Sequence, residues 1–274
     1  MQENNINRLL SRLEPISLTE MDGVKLLSRI DRKYIIPISN LPEIFDLLRY
    51  HYYVLDIDGR RAFNYVTTYF DTSDYQFFQD HHNDLSSRIK VRSRTYKDSN
   101  LHFFEVKKKN NLRTDKFREV LSGECFTLSE KQCEKIRTIY QKELTGKLIP
   151  ALLNNYTRIT LVNKAKTERC TIDVNLAFQD PEAPENEISI DGIAIIELKQ
   201  SKTNLSEGIA ASLRTKRIYP SSISKYVLGI IHTHPEIKHN TFKPLLQKIV
   251  KIQQQNFNQQ NKNYEKVASP AYSI

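Results

Sequence analysis

The stretch "SSRIKVRSRTY" (residues 86–96) decides the fold. Arg88, Lys90, Arg92 and Arg94 take every second position, with Ile89 and Val91 between them. Strand side chains alternate between two faces, so this predicts a strand with four cations on one face and apolar residues mainly on the other. Like charges side by side repel, and an isolated strand gains nothing from them. What matters is what lies across from that face.

The pattern recurs on both sides of the stretch. In "HFFEVKKK", Glu105, Lys107 and Lys109 share one face while Phe104 and Val106 share the other. "TDKFRE" sets Lys116 and Arg118 opposite Phe117, "RIDRKYII" groups Arg29, Asp31 and Lys33, and "IIELK" pairs Glu197 with Lys199. Arg158 and Arg169 lie in strands that alternate less strictly. For a single strand the simplest reading is a solvated sheet face. Repetition along the chain argues instead for basic faces that converge once the apolar faces pack under helices.

A flat basic face that tracks nucleic acid interleaves aromatics for base stacking. Phe104, Phe117 and Tyr34 alternate away from the cations. Inward-pointing cations in a barrel make a channel, and only an anion can neutralise it. A narrow, flexible, highly charged anion with no base to read is polyphosphate, or the triphosphate of a nucleotide. Asp31, Glu105 and Glu197 on the same faces either neutralise neighbouring cations or hold Mg²⁺ or Mn²⁺ beside phosphate.

Composition sets the frame. The 274 residues carry 41 Lys+Arg against 32 Asp+Glu, a net charge of +9, which suits a polyanionic partner. Hydrophobic content of 39% and charged content of 27% describe an ordinary globular chain. No stretch approaches the ~20 apolar residues of a membrane span, so membrane association is expected only through a partner. "MQENNINRLL" has no signal-peptide core. Three cysteines without CxxC spacing argue against disulfides or zinc and fit a reducing cytoplasm. Neither a Walker loop nor a GxGxxG fingerprint is present.

Coarse periodicity predicts helices over 5–13, after Asn40 with Pro42 in the first turn, over "LSEKQCEKIRTIYQKEL" with a Thr127/Glu130 capping box, through "EGIAASLRT" and "SISKYVLGIIHTH", and over "FKPLLQKIVKIQQQ". Beyond that last helix the polar tail is expected to fray. Strands are predicted in "SRIDRKYIIPI", "YVLDI", "AFNYVTTYFDT", "SRIKVRSRTY", "LHFFEVKKK", "TDKFREVL", "YTRITLV", "ERCTIDV" and "ISIDGIAIIELKQS". No linker divides the chain, so one unit over residues 1–274 is expected, with a core of about 22–235 and a C-terminal helix and tail over 241–274.

The motifs "DRKY" (31–34), "YFDT" (69–72), "KVRSRTY" (90–96), "FFEVK" (103–107), "TDKFR" (114–118), "YTRITL" (156–161), "ERCTID" (168–173), "IIELK" (195–199) and "SKYVLG" (224–229) follow in an order that resembles the VTC domain, the polyphosphate polymerase branch of the triphosphate tunnel metalloenzymes. The resemblance implies an α+β fold, an antiparallel β-barrel tunnel of about eight strands flanked by helices. It implies synthesis of polyphosphate from ATP with Mn²⁺ or Mg²⁺. Lys33, Arg92, Arg94, Lys107, Lys116, Arg158 and Arg169 match phosphate-binding catalytic positions, Glu197 matches the metal ligand, and Lys225 matches a lysine near the tunnel mouth.

Parity adds Arg88, Lys90, Lys109, Arg118 and Lys199 as substrate contacts and Glu105 as a second candidate for the metal. Arg29 stands where the wider superfamily's ExExK opening has its first glutamate, which fits the polymerase branch. Ser222 stands one turn before Lys225, where polymerases carry a second lysine. The partners expected are ATP and inorganic polyphosphate, with no nucleic acid. Alternatives are a tripolyphosphatase or nucleoside triphosphatase of the same fold, and a non-catalytic polyphosphate-binding module. "HTH" (232–234) lacks a third metal ligand nearby, "HH" (81–82) reads as a polar turn, Cys125 and Cys133 lack an activating partner, and the basic helix over 242–251 reads as a solvated face or a tunnel cap.

Overall fold

A computed structural model describes residues 3–22, 24, 29–111, 113–201 and 208–268. The chain opens with α1 (Glu3–Leu10), β1 (Glu14–Ile16), α2 (Leu18–Asp22), β2 (Arg29–Pro37), α3 (Leu41–Leu48) and β3 (Tyr52–Leu55). The middle holds β4 (Phe63–Thr72), α4 (Gln76–His82), β5 (Ser87–Tyr96), β6 (Leu101–Asn110), β7 (Arg113–Leu121) and α5 (Glu130–Tyr140). Then come β8 (Leu148–Asn163), β9 (Glu168–Asp180), β10 (Ala183–Ile190), β11 (Ile193–Ser201), α6 (Ile209–Thr215), α7 (Lys225–Thr233) and α8 (Lys243–Ala268).

Eight strands follow one another across the sheet in the order β2-β11-β9-β8-β4-β5-β6-β7, each antiparallel to its neighbours. β3 pairs with β8 beyond the end of β4, and β1 and β10 add to the margins. The sheet curls into a half-barrel. Lys33 of β2 and Glu197 of β11 line the same cavity as Arg88 and Lys90 of β5, Lys107 and Lys109 of β6 and Thr114 of β7. Among the described residues β2 and β7 do not pair, so a seam runs along the barrel.

The two faces of the sheet bury different things. Tyr34, Ile36, Ile172, Ile196 and Leu198 point outward under α1, α3 and α6. Ile89, Val91, Phe104 and Val106 point outward under Phe77 of α4 and Ile136 and Tyr140 of α5. The inner face changes character along the strands. At one end Ile35, Ile195, Leu152 and Phe178 face inward and receive Tyr226, Val227 and Ile230 of α7, which plugs the lumen, with Ile249 and Ile252 of α8 behind it. Two register pairs further along, on the same face, Ile195 and Ile35 give way to Glu197 and Lys33. At the far end Met21 and Val24 pack on Phe63 and Val162.

Gly229 lets the plug sit this deep. A Cβ there would lie 2.7 Å from Phe178 and closer still to Leu152. Gly229→Ala is therefore expected to cost about 1–3 kcal/mol through overpacking, read as a lower Tm in thermal unfolding with the far-UV spectrum retained. An unchanged Tm would mean that the plug shifts freely.

Several local readings change. The cap of α5 is Ser129 with Gln132, not Thr127 with Glu130, because Ser129 is the extended residue whose side chain accepts the Gln132 N–H. "ISIDGIAIIELKQS" forms two successive strands, β10 and β11, that both pair antiparallel with β9 and are separated by a bend at Asp191 and Gly192, the latter at φ +76°. "HH" (81–82) forms the end of helix α4 rather than a polar turn. Asn40 precedes α3 but makes no side-chain cap. The last helix continues to Ala268, through the polar stretch after Gln255 that was expected to fray, and residues 269–274 lie outside the described residues. So do the Arg29 side chain and the start of the helical run before Gly208. No helix among the described residues is long and apolar enough to cross a membrane.

Candidate functional site

The concave face gathers the predicted cations into three groups. The first lines a cavity of about 750 Å³ and comprises Lys33, Arg88, Lys90, Lys107 and Lys109, with Asp31 and Glu197 among them. Lys33 Nζ donates to the Ile223 carbonyl at 3.1 Å, and Arg88 pairs with Asp84 at 2.6 Å. Lys90, Lys107 and Lys109 form no ion pair among the described residues. Burial, then the positive charges of Lys33, Lys107, Arg88 and Arg92, hold the Lys90 ammonium well below the usual lysine range. Burial lowers Lys107 to about 8, Glu197 opposing and Arg92, Lys33 and Lys199 adding to it. Cations from opposite margins of the sheet feel one another because the sheet curls.

Glu105 organises the second group. Its Oε2 accepts from Arg92 at 2.6–2.7 Å, and its Oε1 from Lys116 at 2.6 Å and Arg118 at 2.8 Å. The residue is 1% exposed. Burial raises its pKa, but Arg92, Arg94 and Lys116 outweigh that and hold the carboxyl well below the usual range. Both oxygens are saturated by cations, so Glu105 is poorly placed as a metal ligand. It serves as an internal counter-anion.

Asp173 holds the third group. Arg158 meets it bidentately at 2.6 and 2.7 Å, and Lys225, the first residue of α7, donates to Oδ2. Burial opposes ionisation, but Arg158 and Lys225 keep this carboxyl low. The Arg158 guanidinium lies over the Tyr65 and Tyr156 rings, each 5.4 Å away, and those rings stack at 5.3 Å.

Three cations stand apart from these groups. Arg94 is buried over Tyr65, and its Nε has no hydrogen-bond partner among the described residues. Arg169 donates to the Met21 carbonyl at 2.5 Å, toward the far end of the face. Lys199 lies 3.9 Å from Glu197.

Glu197 lines the cavity together with Asp31. Its side chain is 16% exposed and faces the cavity. Burial raises its pKa, while Lys199, Lys33, Arg158 and Lys107 bring it down to about 2, so it is ionised in any working buffer. Among the described residues there is no group of three or more His, Cys, Asp or Glu side chains suited to a metal. An ionised carboxylate facing a basic cavity is the kind of donor a hard cation takes when phosphate oxygens and water complete its shell.

Sequence reasoning missed three features. Aromatics are not all turned away from the cations: Tyr65 and Tyr69 pair across the strands with Tyr96 and Arg92, and Phe103 with Arg94, which puts them on the inner face. Asp173 sits in a quoted motif, yet only the fold shows it as an anchor for two cations. His81, read as part of a turn, lines the cavity. The "HTH" histidines are held locally, His232 by the Leu228 carbonyl and His234 by Tyr75. Burial raises the thiols of Cys125 and Cys133, away from reactivity.

A protein-family model described as VTC domain matches residues 28–234. Comparison with curated proteins finds no match. Among solved structures the chain is similar to a Pyrococcus horikoshii protein, at 13% identity over 73% of this chain and 97% of that one, with a TM-score of 0.41. It is similar to a Hippeastrum protein, a candidate adenylyl cyclase with a dominant triphosphatase activity, at 12% identity over 77% of this chain and 100% of that one, TM-score 0.44. A candidate adenylate cyclase from Vibrio parahaemolyticus is similar at 11% identity over 73% of this chain and 98% of that one, TM-score 0.39.

Proposed function

The chain belongs to the VTC domain family, and from that membership we propose that it synthesises inorganic polyphosphate, transferring the γ-phosphate of ATP to the end of a growing chain held in the basic groove. One observation carries this reading: the cationic lining is longer than one nucleotide can use. A triphosphate clamp needs about three or four strong contacts. The cavity alone offers Lys33, Arg88, Lys90, Lys107 and Lys109, and the groups around Glu105 and Asp173 extend the path.

Phosphoryl transfer depends on in-line positioning and charge neutralisation more than on covalent help. Lys33, Lys90 and Lys107 hold the triphosphate as point charges, and Arg92, Arg94 and Arg158 offer forked contacts to successive phosphates. The terminal phosphate of the growing chain is already ionised near neutral pH and attacks without a strong base. Glu197 would hold Mn²⁺ or Mg²⁺, which would supply neutralisation of charge on the phosphate oxygens. The cytoplasm, with its ATP and reduced thiols, suits such an enzyme. Polyphosphate and ATP, rather than nucleic acid, are the partners.

The test is to incubate the pure protein with Mn²⁺ and ATP and to run the product on a gel. A phosphatase-sensitive ladder or smear is the expected result. The seam between β2 and β7 favours one alternative, hydrolysis, because it offers water a route to the phosphates. ADP and orthophosphate alone, with short polyphosphate primer present, would establish that reading instead. Tight polyphosphate binding without turnover would leave a binding module.

Arg92→Ala is expected to weaken tripolyphosphate binding by about 1.5–3 kcal/mol, the range for a hydrogen bond to a charged group. Calorimetric titration measures it. Unchanged affinity would place the phosphates elsewhere than over the Glu105 group.

A further inference from the structure

Lys248 of α8 lines the same cavity as Lys33, Arg88, Lys90, Lys107 and Lys109, yet it lies outside residues 28–234, the segment that the family model matches. The helix that carries it is firmly seated. Ile249 and Ile252 are buried with Val227 and Ile230 of α7. Gln253 Nε2 donates to the Asp191 carbonyl at 2.9 Å, and Asn256 Oδ1 accepts the Ser39 N–H at 3.2 Å. Lys248 shares a helix face with Ile252, four residues on, so the anchored helix holds it toward the sheet. Its ammonium donates to Ser221 Oγ and, at 3.5 Å, to the Tyr219 carbonyl. The same segment is tied to β2: the Ser221 N–H donates to the Lys33 carbonyl at 2.7 Å, and Lys33 Nζ donates to the Ile223 carbonyl at 3.1 Å. Lys33 and Lys248 thus grip one segment from two elements, and both line the cavity.

Both partners of Lys248 are neutral oxygens, and among the described residues it forms no ion pair. Arg88, Lys116 and Lys225 each have a carboxylate, in Asp84, Glu105 and Asp173. An ammonium has three donors, so two neutral acceptors leave one N–H and the whole positive charge unanswered. Burial lowers the Lys248 ammonium below the usual lysine range, as it does for a cation drawn out of water without an anion. We infer that Lys248 is a phosphate ligand of the cavity, contributed by α8, which donates its remaining N–H to an oxygen of the bound phosphate chain. A strut between α8 and residues 219–221 needs only a donor. It gives no reason to set a charge on the wall of an already basic cavity, whereas an entering polyanion does. The basic helix then closes the cavity and extends its cationic lining at once.

This inference rests on the proposed phosphate-chain groove, and the test separates the two. Tripolyphosphate is titrated calorimetrically into the native protein and into Lys248→Gln, Lys248→Arg and Ser221→Ala. Lys248→Gln keeps a donor and loses the charge, and is expected to bind about tenfold more weakly, the low end for one hydrogen bond to a charged group because Lys248 is only half-buried. Lys248→Arg should recover most of that loss. Ser221→Ala removes the strut and keeps the charge, and should stay within about twofold of the native affinity. The gap between the native protein and Lys248→Gln should narrow as salt is added, because screening weakens a charge contact at a half-exposed site. Native affinity in Lys248→Gln would overturn this inference alone. So would a loss in Ser221→Ala as large as that in Lys248→Gln, which would make Lys248 a strut. If Lys248→Gln fails to fold, the native protein answers instead: tripolyphosphate should slow acylation of Lys248 by an amine reagent, read by peptide mass spectrometry, and an unchanged rate would overturn the inference. No tripolyphosphate binding to the native protein would overturn the groove and the inference with it.

Discussion

Glu197→Gln is expected to remove nearly all ATP turnover while leaving the fold intact. The amide keeps the shape of the side chain and loses the charge a hard cation needs. Loss of several kcal/mol of charge stabilisation on the phosphates, about 3–5 kcal/mol, corresponds to about 10²–10⁴-fold in rate. ATP affinity should change much less, because Lys33, Lys90 and Lys107 remain. Initial rates across a Mn²⁺ titration provide the check. A variant that retained native rates would reduce Glu197 to a neighbour of Lys199, at 3.9 Å. No pH rescue is expected: with its carboxyl held near 2, Glu197 is ionised across the whole working range.

Glu105→Ala should have the largest effect on stability. It leaves Arg92, Lys116 and Arg118 facing one another without their shared anion. Breaking a buried pair on one side costs about 3–5 kcal/mol. Lys116 and Arg118 are 38% and 39% exposed and solvent screens them, so we expect about 2–4 kcal/mol. That is a fall of about 5–15 °C in Tm for a chain of this size. Added tripolyphosphate should restore stability to the variant by more than it adds to the native protein, since an anion then occupies the vacated position. Equal gains in both proteins would separate the Glu105 group from the phosphate path.

The alternation in residues 86–121 made the charged face legible in the sequence, because a strand with one covered face must repeat every second residue. Lys33 and Glu197 were legible for the same reason, and the register sets them directly opposite each other. Helix α4 was not. Its first turn is capped from a distance: the Asp71 carboxylate accepts the N–H groups of Phe77 and Phe78, and Thr72 Oγ1 accepts that of Gln76. Both cap residues sit in the preceding strand, and no local signature marks the helix start. Tyr65 and Tyr69 lie in a strand without cations, so only its pairing with β5 shows which face they share, whereas Tyr96 and Phe103 have the same parity as Arg94 and Glu105 and were open to the same count. The partition of the cations among Glu105, Asp173 and the open cavity depends on strands far apart in sequence, so parity could nominate Glu105 for a metal but could not show it saturated.

The seam has a consequence for self-association. Among the described residues β7 pairs on one side only, and an open strand margin is the kind of edge that recruits a strand from another copy and seeds aggregation. Its sequence, "RTDKFREVL", places Arg113, Asp115, Lys116, Arg118 and Glu119 on that margin. A like strand docking there would bring these cations against their own kind, and Lys116 and Arg118 would lose solvent as well. β2 carries Asp31, Arg32 and Lys33, ends at Pro37, and is partly covered by α8. Replacing Lys116 and Arg118 with apolar residues would therefore do more than thin out the lining. It would turn a charged edge into an adhesive one, and light scattering of such a double variant should rise with protein concentration.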